Sequence, residues 1–384
     1  MPTYARMPVT FERGEGAWLW STEGKRYLDA ISGIAVCNLG HAHPQVAQAI
    51  CDQANTLVHT SNLYGIGLQE RLASELCALS GLDNVFFCNS GAEANEAALK
   101  LARKYGHSKG VDLPKVIVME NSFHGRTLFT LSATGNAKVQ EGFEPLVDSF
   151  IRVPYGDAAA VSSIQDVSVC AILVEPVQGE GGVRVAPQDY LSALRKLCDE
   201  RGWLLMLDEV QSGMARTGTW FGFQHADILP DVITLAKALG NGVPIGACLA
   251  RAPAAQVLTA GKHGSTFGGN PLACRAALTV LEIIRQQNLL ARAGELGSRL
   301  LNGFRTALAD NSHVVEIRGK GMMIGIELDQ TCTELTSRAL ADGLLINVTA
   351  DRTIRLLPPL ILSDDEAQQL IDGVVRLVDE FTAQ

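Results

Sequence analysis

"DVITLAKALGNGVPIGACLA", residues 231 to 250, decides how the rest of the chain is read. Its first half is apolar without alternation, the pattern of a short strand covered on both faces. The run then meets one lysine, Lys237, and two glycines soon after it. Lysine is among the side chains least often buried without a partner. At the end of an ordinary strand it lays its stem along the apolar surface and keeps its amine in water. The alternative is an amine held in an apolar pocket, where a lowered pKa makes it a nucleophile toward an aldehyde.

Similar runs lie on either side. "NVFFC" (84–88), "KVIVM" (115–119), "VCAILV" (169–174) and "WLLML" (203–207) are short, bounded and continuously apolar. Between them "PQVAQAICDQANTLV" (44–58), "GLQERLASELCALS" (67–80) and "GAEANEAALKLARKYG" (91–106) space their apolar residues as helices do. Strands alternating with helices predict an α/β fold around a mostly parallel sheet. That pattern sets a large domain over 51–272. Beyond it come long helical periods at 276–287 and 289–308, then short strands "VVEIRG", "MMIGIEL", "LLINV" and "TIRLLP", and a last helix from Ser363. Residues 1–50 and 273–384 are accordingly expected to form a smaller, discontinuous α+β domain.

Composition narrows the function. An apolar fraction of 47% and a charged fraction of 19% suit an ordinary globular enzyme. A net charge of −9 with no basic run argues against a nucleic-acid partner. The start has no secretory core and no run is long enough to span a bilayer, so no membrane and a cytoplasmic location are expected. The 9 cysteines form no C-x-x-C pair, and His41 and His43 lack a third ligand, so no metal or disulfide framework is expected.

Chemistry gathers where the strand-like runs end, the edge at which open α/β sheets place ligands. Ser90 and Glu93 have the spacing of a capping box. Ser90, Gly91 and Ala92 equally suit a helix N-terminus whose N–H groups take a phosphate. "WLLML" ends in Asp208 and Glu209, which could be metal ligands, general acids, or one functional group beside a structural one. A cofactor with an aldehyde, a basic ring nitrogen and a phosphate needs a lysine, a carboxylate and a phosphate cup together. Lys237, Asp208 and the Ser90 turn supply all three.

These residues also carry a resemblance. "NSGAEANEAALK", "FHGRTLFTLSATG", "VEPVQGEGGV", "LDEVQSGMARTG", "LAKALGNGVPIGA", "GSTFGGNPLAC" and "IRLLPPL" occur in the order and spacing of the class III pyridoxal-phosphate aminotransferases. The similarity runs from about Pro8 to the C-terminal helix. It implies the type I fold of pyridoxal-phosphate transferases, a pyridoxal 5'-phosphate cofactor, and a homodimer with a shared active site. By resemblance Lys237 binds the cofactor and moves the proton, while Asp208 pairs with the ring nitrogen. Phe123 and Val210 cover the ring faces, and Gln211 reaches the phenolic oxygen. Ser90, Gly91 and Ala92 hold the phosphate, joined by Thr266 from the partner chain, and Ser265 lies beside the substrate. Arg126 matches a clamp for a substrate carboxylate. Arg355 matches the grip on the α-carboxylate of glutamate, and Glu175 the acid that pairs with Arg355 when the other substrate binds.

The implied reaction moves the distal amine of N2-acetyl-L-ornithine to 2-oxoglutarate, with succinyl-diaminopimelate as a second candidate. It gives N-acetylglutamate 5-semialdehyde and L-glutamate, a step of arginine biosynthesis. Ornithine aminotransferases carry a tyrosine at the position of Ile34, where it helps hold a free α-amine. An apolar residue there leaves a buried ammonium unpaired, at a cost of several kcal/mol, so the acylated substrate is expected to be preferred. Ornithine, succinylornithine and 4-aminobutyrate aminotransferases stand as alternatives, as does an aminomutase, from which "FHGRT" turns the reading away.

Overall fold

The apolar runs become one seven-stranded sheet in the computed structural model, which describes residues 1–383. Across the sheet the strands are Asn84–Cys88, Gly246–Ala250, Val232–Leu235, Leu204–Asp208, Val169–Val174, Lys115–Met119 and Phe150–Val153. Gly246–Ala250 runs antiparallel to both of its neighbours, and the remaining pairs are parallel. Every residue of Val169–Val174 and Leu204–Asp208 is buried, as an unalternating apolar run requires.

The parallel strands therefore deliver their C-terminal ends to one edge. Asn84–Cys88 turns there into the helix Gly91–Ser108. Ala94, Ala97, Ala98, Leu101 and Ala102 make the buried face of that helix. Four alanines at helical spacing let it lie close against Gly246–Ala250 and Val232–Leu235. At its start a Cβ on Gly91 would stand 2.8 Å from Val210 Cγ1, so only glycine fits the turn.

The two ends of the chain meet in a second sheet, where Phe11–Glu15, Trp18–Ser21 and Arg26–Asp29 are joined by Leu344–Leu345. A third sheet, Val314–Lys320, Met323–Leu328, Thr353–Leu356 and Asn347–Thr349, is antiparallel. The expected strand "LLINV" is thus two strands in two sheets, parted at Ile346. Its apolar pattern is continuous because both pieces face core, and only the pairing partners divide it.

A buried arginine ties these parts together. Arg216 donates to the carbonyls of Met322 at 3.2 Å and Pro358 at 2.5 Å, and to Asn38 Oδ1. Asn38 in turn donates to Met214 O at 2.8 Å and accepts at its own carbonyl from Leu360 N–H at 2.8 Å. With no carboxylate in contact among the described residues, burial lowers the Arg216 guanidinium to about 9.

Candidate active site

A cavity of about 390 Å³ opens at the shared edge of the large sheet. Ser90, Gly91, Ala92, Phe123, Arg126, Glu175, Asp208, Val210, Gln211 and Lys237 all contribute to its wall. Most of them follow directly from the end of a parallel strand: Ser90 after Cys88, Glu175 after Val174, Asp208 at the close of Leu204–Asp208, and Lys237 two residues beyond Leu235. The crossover connections bring residues more than a hundred positions apart to one line.

Lys237 opens a single 3₁₀ turn with φ at 45°, in the left-handed region that a lysine seldom adopts. Among the described residues its Nζ has no hydrogen bond or ion pair. Burial holds its pKa below the ordinary lysine value, and nearby Arg355 pushes the same way, against the raising influence of Glu180, Asp208 and Glu175. The side chain stands half-buried in the cavity wall.

Asp208 is held by a network that the sequence reading did not single out. Its Oδ2 accepts from Asn95 Nδ2 at 2.7 Å and stands 2.8 Å from His124 Nδ1, while Oδ1 accepts from Val210 N–H at 3.1 Å. Asn95 also donates to His124 O at 2.8 Å and accepts from Thr234 Oγ1 at 2.7 Å. The neighbouring Glu209 turns the other way. It accepts from the N–H groups of Gly222 and Phe223 at 2.9 and 2.8 Å and from Ser212 Oγ, and burial raises its pKa. Of the two carboxylates, Asp208 faces the cavity and Glu209 braces a loop.

Ser90 caps the helix Gly91–Ser108, accepting from Glu93 N–H at 3.2 Å, and Glu93 Oε2 accepts from Asn89 N–H at 2.7 Å. The capping reading is observed directly. The cap uses the hydroxyl, and the first-turn N–H groups at Gly91 and Ala92 have no intrahelical acceptor.

One expectation is corrected. The acid paired with Arg355 is Glu180, at 2.6 Å, and not Glu175. Glu175 sits at the strand end with Oε1 accepting from Phe123 N–H at 3.0 Å and Oε2 from Gly179 N–H at 3.3 Å. Its oxygens are spent on backbone, and burial together with the charge of Asp208 raises its pKa. Glu180, five residues on, is carried across the cavity wall to Arg355, whose Nε and Nη2 also donate to Asn347 Oδ1 at 3.1 and 2.6 Å. Glu180 was missed although it stands in the quoted segment "VEPVQGEGGV".

Other expected residues lie outside the wall. Ser265 Oγ accepts from Asn89 Nδ2 at 3.2 Å, which joins it to the rim, and Thr266 is exposed on the same loop. Ile34 has φ at 68° in the turn Ser32–Ala35 and is 37% exposed, while Val36, two residues on, reaches the cavity.

Whether an aldehyde cofactor suits these residues can be judged from unspent groups. Among the described residues, Gln211 Oε1 is buried without a hydrogen-bond partner, Lys237 Nζ has no hydrogen bond or ion pair, and Ser90, Gly91 and Ala92 line the cavity with small side chains. The lysine, the Asp208 carboxylate and the helix start that such a cofactor needs all line this one cavity. A site of this kind defines a lysine-dependent pyridoxal-phosphate enzyme on an α/β sheet.

The chain belongs to the class III aminotransferases, whose family model matches residues 2–378. It is 57% identical to the acetylornithine aminotransferase of Nitrosomonas europaea over 99% of this chain and 98% of that protein. Identity to the acetylornithine aminotransferase of Methanocaldococcus jannaschii is 47%, covering 98% and 94%. Among solved structures, the ornithine aminotransferase of Toxoplasma gondii superposes with a TM-score of 0.96 at 35% identity, covering 99% of this chain and 93% of that one. A second structure of that Toxoplasma enzyme has pyridoxal phosphate at partial occupancy in its active site. The acetylornithine aminotransferase of Elizabethkingia anophelis superposes at 0.88 with 34% identity, covering 99% and 96%. Class III aminotransferases use pyridoxal phosphate, and the cavity described above fits it.

Proposed function

We propose that this enzyme transfers the distal amine of N2-acetyl-L-ornithine to 2-oxoglutarate, giving N-acetylglutamate 5-semialdehyde and L-glutamate in the cytoplasm. The observation that carries the reading is the Arg355–Glu180 pair at the edge of the Lys237 cavity. A site that alternates between glutamate and a longer diamine must offer a cation to one and withdraw it from the other. Glu180 neutralises Arg355 while a substrate presents an amine beside it. Glutamate's α-carboxylate takes the guanidinium when Glu180 gives way. Full-length similarity to acetylornithine aminotransferases supports the choice of substrate.

When bound, pyridoxal phosphate supplies the electron sink for the charge left on the substrate carbon as its proton departs. The chain's own groups do the rest. Gly91 and Ala92 offer N–H groups to the phosphate, and Ser90 fixes the turn that presents them. Asp208, held rigid by Asn95 and His124, keeps the ring nitrogen protonated. Phe123 and Val210 would flank the ring and Gln211 would meet its phenolic oxygen. The Lys237 Nζ, its pKa lowered by burial, would take the proton from one carbon and return it to the next. Arg126 receives the carboxylate of the acylated substrate.

The large domain is assigned to 51–272, with 1–50 and 273–384 as the smaller one. A homodimer with a shared site is part of the same proposal. Leu63, Tyr64 and Phe267 are 85%, 70% and 61% exposed on segments joined by Asn62, which donates to the carbonyls of Ser265 and Gly268. A second copy would cover this apolar face and bring Thr266 to the partner's cofactor and Ser265 to its substrate. Sedimentation of the wild type and of Leu63→Glu tests it, with a monomeric wild type counting against the assembly.

The substrate reading is tested by adding single amines without a keto acid and following cofactor absorbance. N2-acetylornithine should react much faster than ornithine or 4-aminobutyrate. If either of those reacts fastest, the substrate assignment is wrong while the class stands.

A further inference from the structure

The cavity at Lys237 continues into a second one of about 520 Å³, with Phe123, Arg126 and Glu180 in the walls of both. The far wall of the second cavity comes from two loops, one carrying Lys138 and the other Thr349 to Asp351. An ion pair bridges them, Lys138 Nζ to Asp351 Oδ2 at 2.9 Å, with side chains 79% and 63% exposed. The Asp351 loop is anchored from below, because its carbonyl accepts from Cys332 N–H at 3.0 Å. At the neck between the cavities stands Arg126. Its guanidinium lies 5.8 Å from the Phe123 ring centre and has no hydrogen bond or ion pair among the described residues.

The substrate's geometry assigns the second cavity a content. In an acylated diamine the α-carbon bears both the carboxylate and the acylated nitrogen. With the carboxylate on Arg126 and the distal amine toward Lys237, the acyl group must leave from the same carbon as the carboxylate. The second cavity lies beside Arg126 without Lys237 in its wall, and so offers that space.

We propose that this cavity is the acyl subsite and that Asp351 is a specificity-determining residue within it. The inference rests on the substrate reading given above and deepens it. Asp351 occupies the Lys138 ammonium, and the substrate's own carboxylate takes Arg126, so among the described residues lining the subsite no cation is left free. A neutral acetyl group needs none. The terminal carboxylate of a succinyl group would meet an ammonium already paired and a second carboxylate that repels it. The pair therefore discriminates against an acidic acyl group by what it denies.

The test compares kcat/KM for N2-succinylornithine with that for N2-acetylornithine in the wild type, in Asp351→Asn, and in the double variant Asp351→Asn with Lys138→Met. Asp351→Asn frees the ammonium, and the succinyl-to-acetyl ratio should rise about three- to tenfold, modest because the pair is solvated. Adding Lys138→Met should return the ratio to near the wild-type value, and raising ionic strength should shrink the gain. A ratio that stays level or falls in Asp351→Asn overturns the inference, as does a gain that survives loss of Lys138. A wild type inactive on N2-acetylornithine overturns the substrate reading as well. A wild type that uses it while the ratio stays unmoved sinks only the assignment of Asp351.

Discussion

At the scale of single residues, the proposed mechanism works by pairing charges that can be exchanged. Arg355 is 1% exposed and would be costly to leave alone, so Glu180 and Asn347 hold it between turnovers. Glu180→Gln removes the charge and keeps the shape. The half-reaction with N2-acetylornithine should then lose about tenfold or more in kcat/KM, since a bare guanidinium faces the substrate's methylenes. The half-reaction with glutamate should hold or improve, because its carboxylate no longer has to displace an acid. Equal losses in both half-reactions would show that Glu180 only supports the wall. Glu175→Gln provides the contrast, for Glu175 is bonded to backbone and should not split the two substrates in this way.

Individual elements are set in place by buried polar groups as well as by the apolar core. The strand Thr353–Leu356 brings Arg355 to Glu180 in the cavity wall, and the residue that locks its far end is Arg216 through Pro358 O. The same guanidinium holds Asn38, two residues from Val36 in the cavity wall. Arg216→Met would leave Asn38 Oδ1 and two buried carbonyls without their donor. It should cost about 2 to 4 kcal/mol of stability, read as a lower midpoint in urea. Arg216→Lys should recover part of that loss. It should also raise KM for glutamate more than it lowers kcat, because the strand bearing Arg355 would be less firmly placed. A stable Arg216→Met variant with unchanged KM for glutamate would remove this tie from the account of the site.

For the molecule as a whole, pH dependence should show in the docking of the N-terminal segment. His41 is 2.8 Å from Asp29. Burial alone would lower the ring's pKa, but hydrogen bonds to Asp29 and Cys37 and the charge of Asp29 outweigh it and raise the ring to about 9. A raised histidine stabilises the fold fully below its ordinary value of 6.5, and that contribution fades as pH climbs through about 9. Between those limits the wild type should lose of order 1 kcal/mol that His41→Asn does not lose, a modest figure because the ring is partly solvated. Thermal midpoints of both proteins across that range measure it. Parallel curves would mean that the pair contributes nothing to alkaline stability.

Much of this could be read from neighbouring residues alone. The unalternating runs at 169–174 and 203–207 had to be covered strands, and Lys237, Asp208 and the Ser90 turn stand where such runs stop, in the wall of one cavity. Burial pattern and helix capping are local properties, so a linear reading captures them. The partners of the charges are not local. Glu175 and Glu180 look alike in one glycine-rich segment, and which of them meets Arg355 depends on a strand 175 residues away. Asn95 and His124 join Asp208 only because separate crossovers bring a helix and a loop to the same strand end. Asp351 reaches Lys138 across 213 residues. Apolar burial tolerates any neighbour of suitable size, whereas an ion pair or hydrogen bond needs one partner at one distance, and only the folded chain sets that distance.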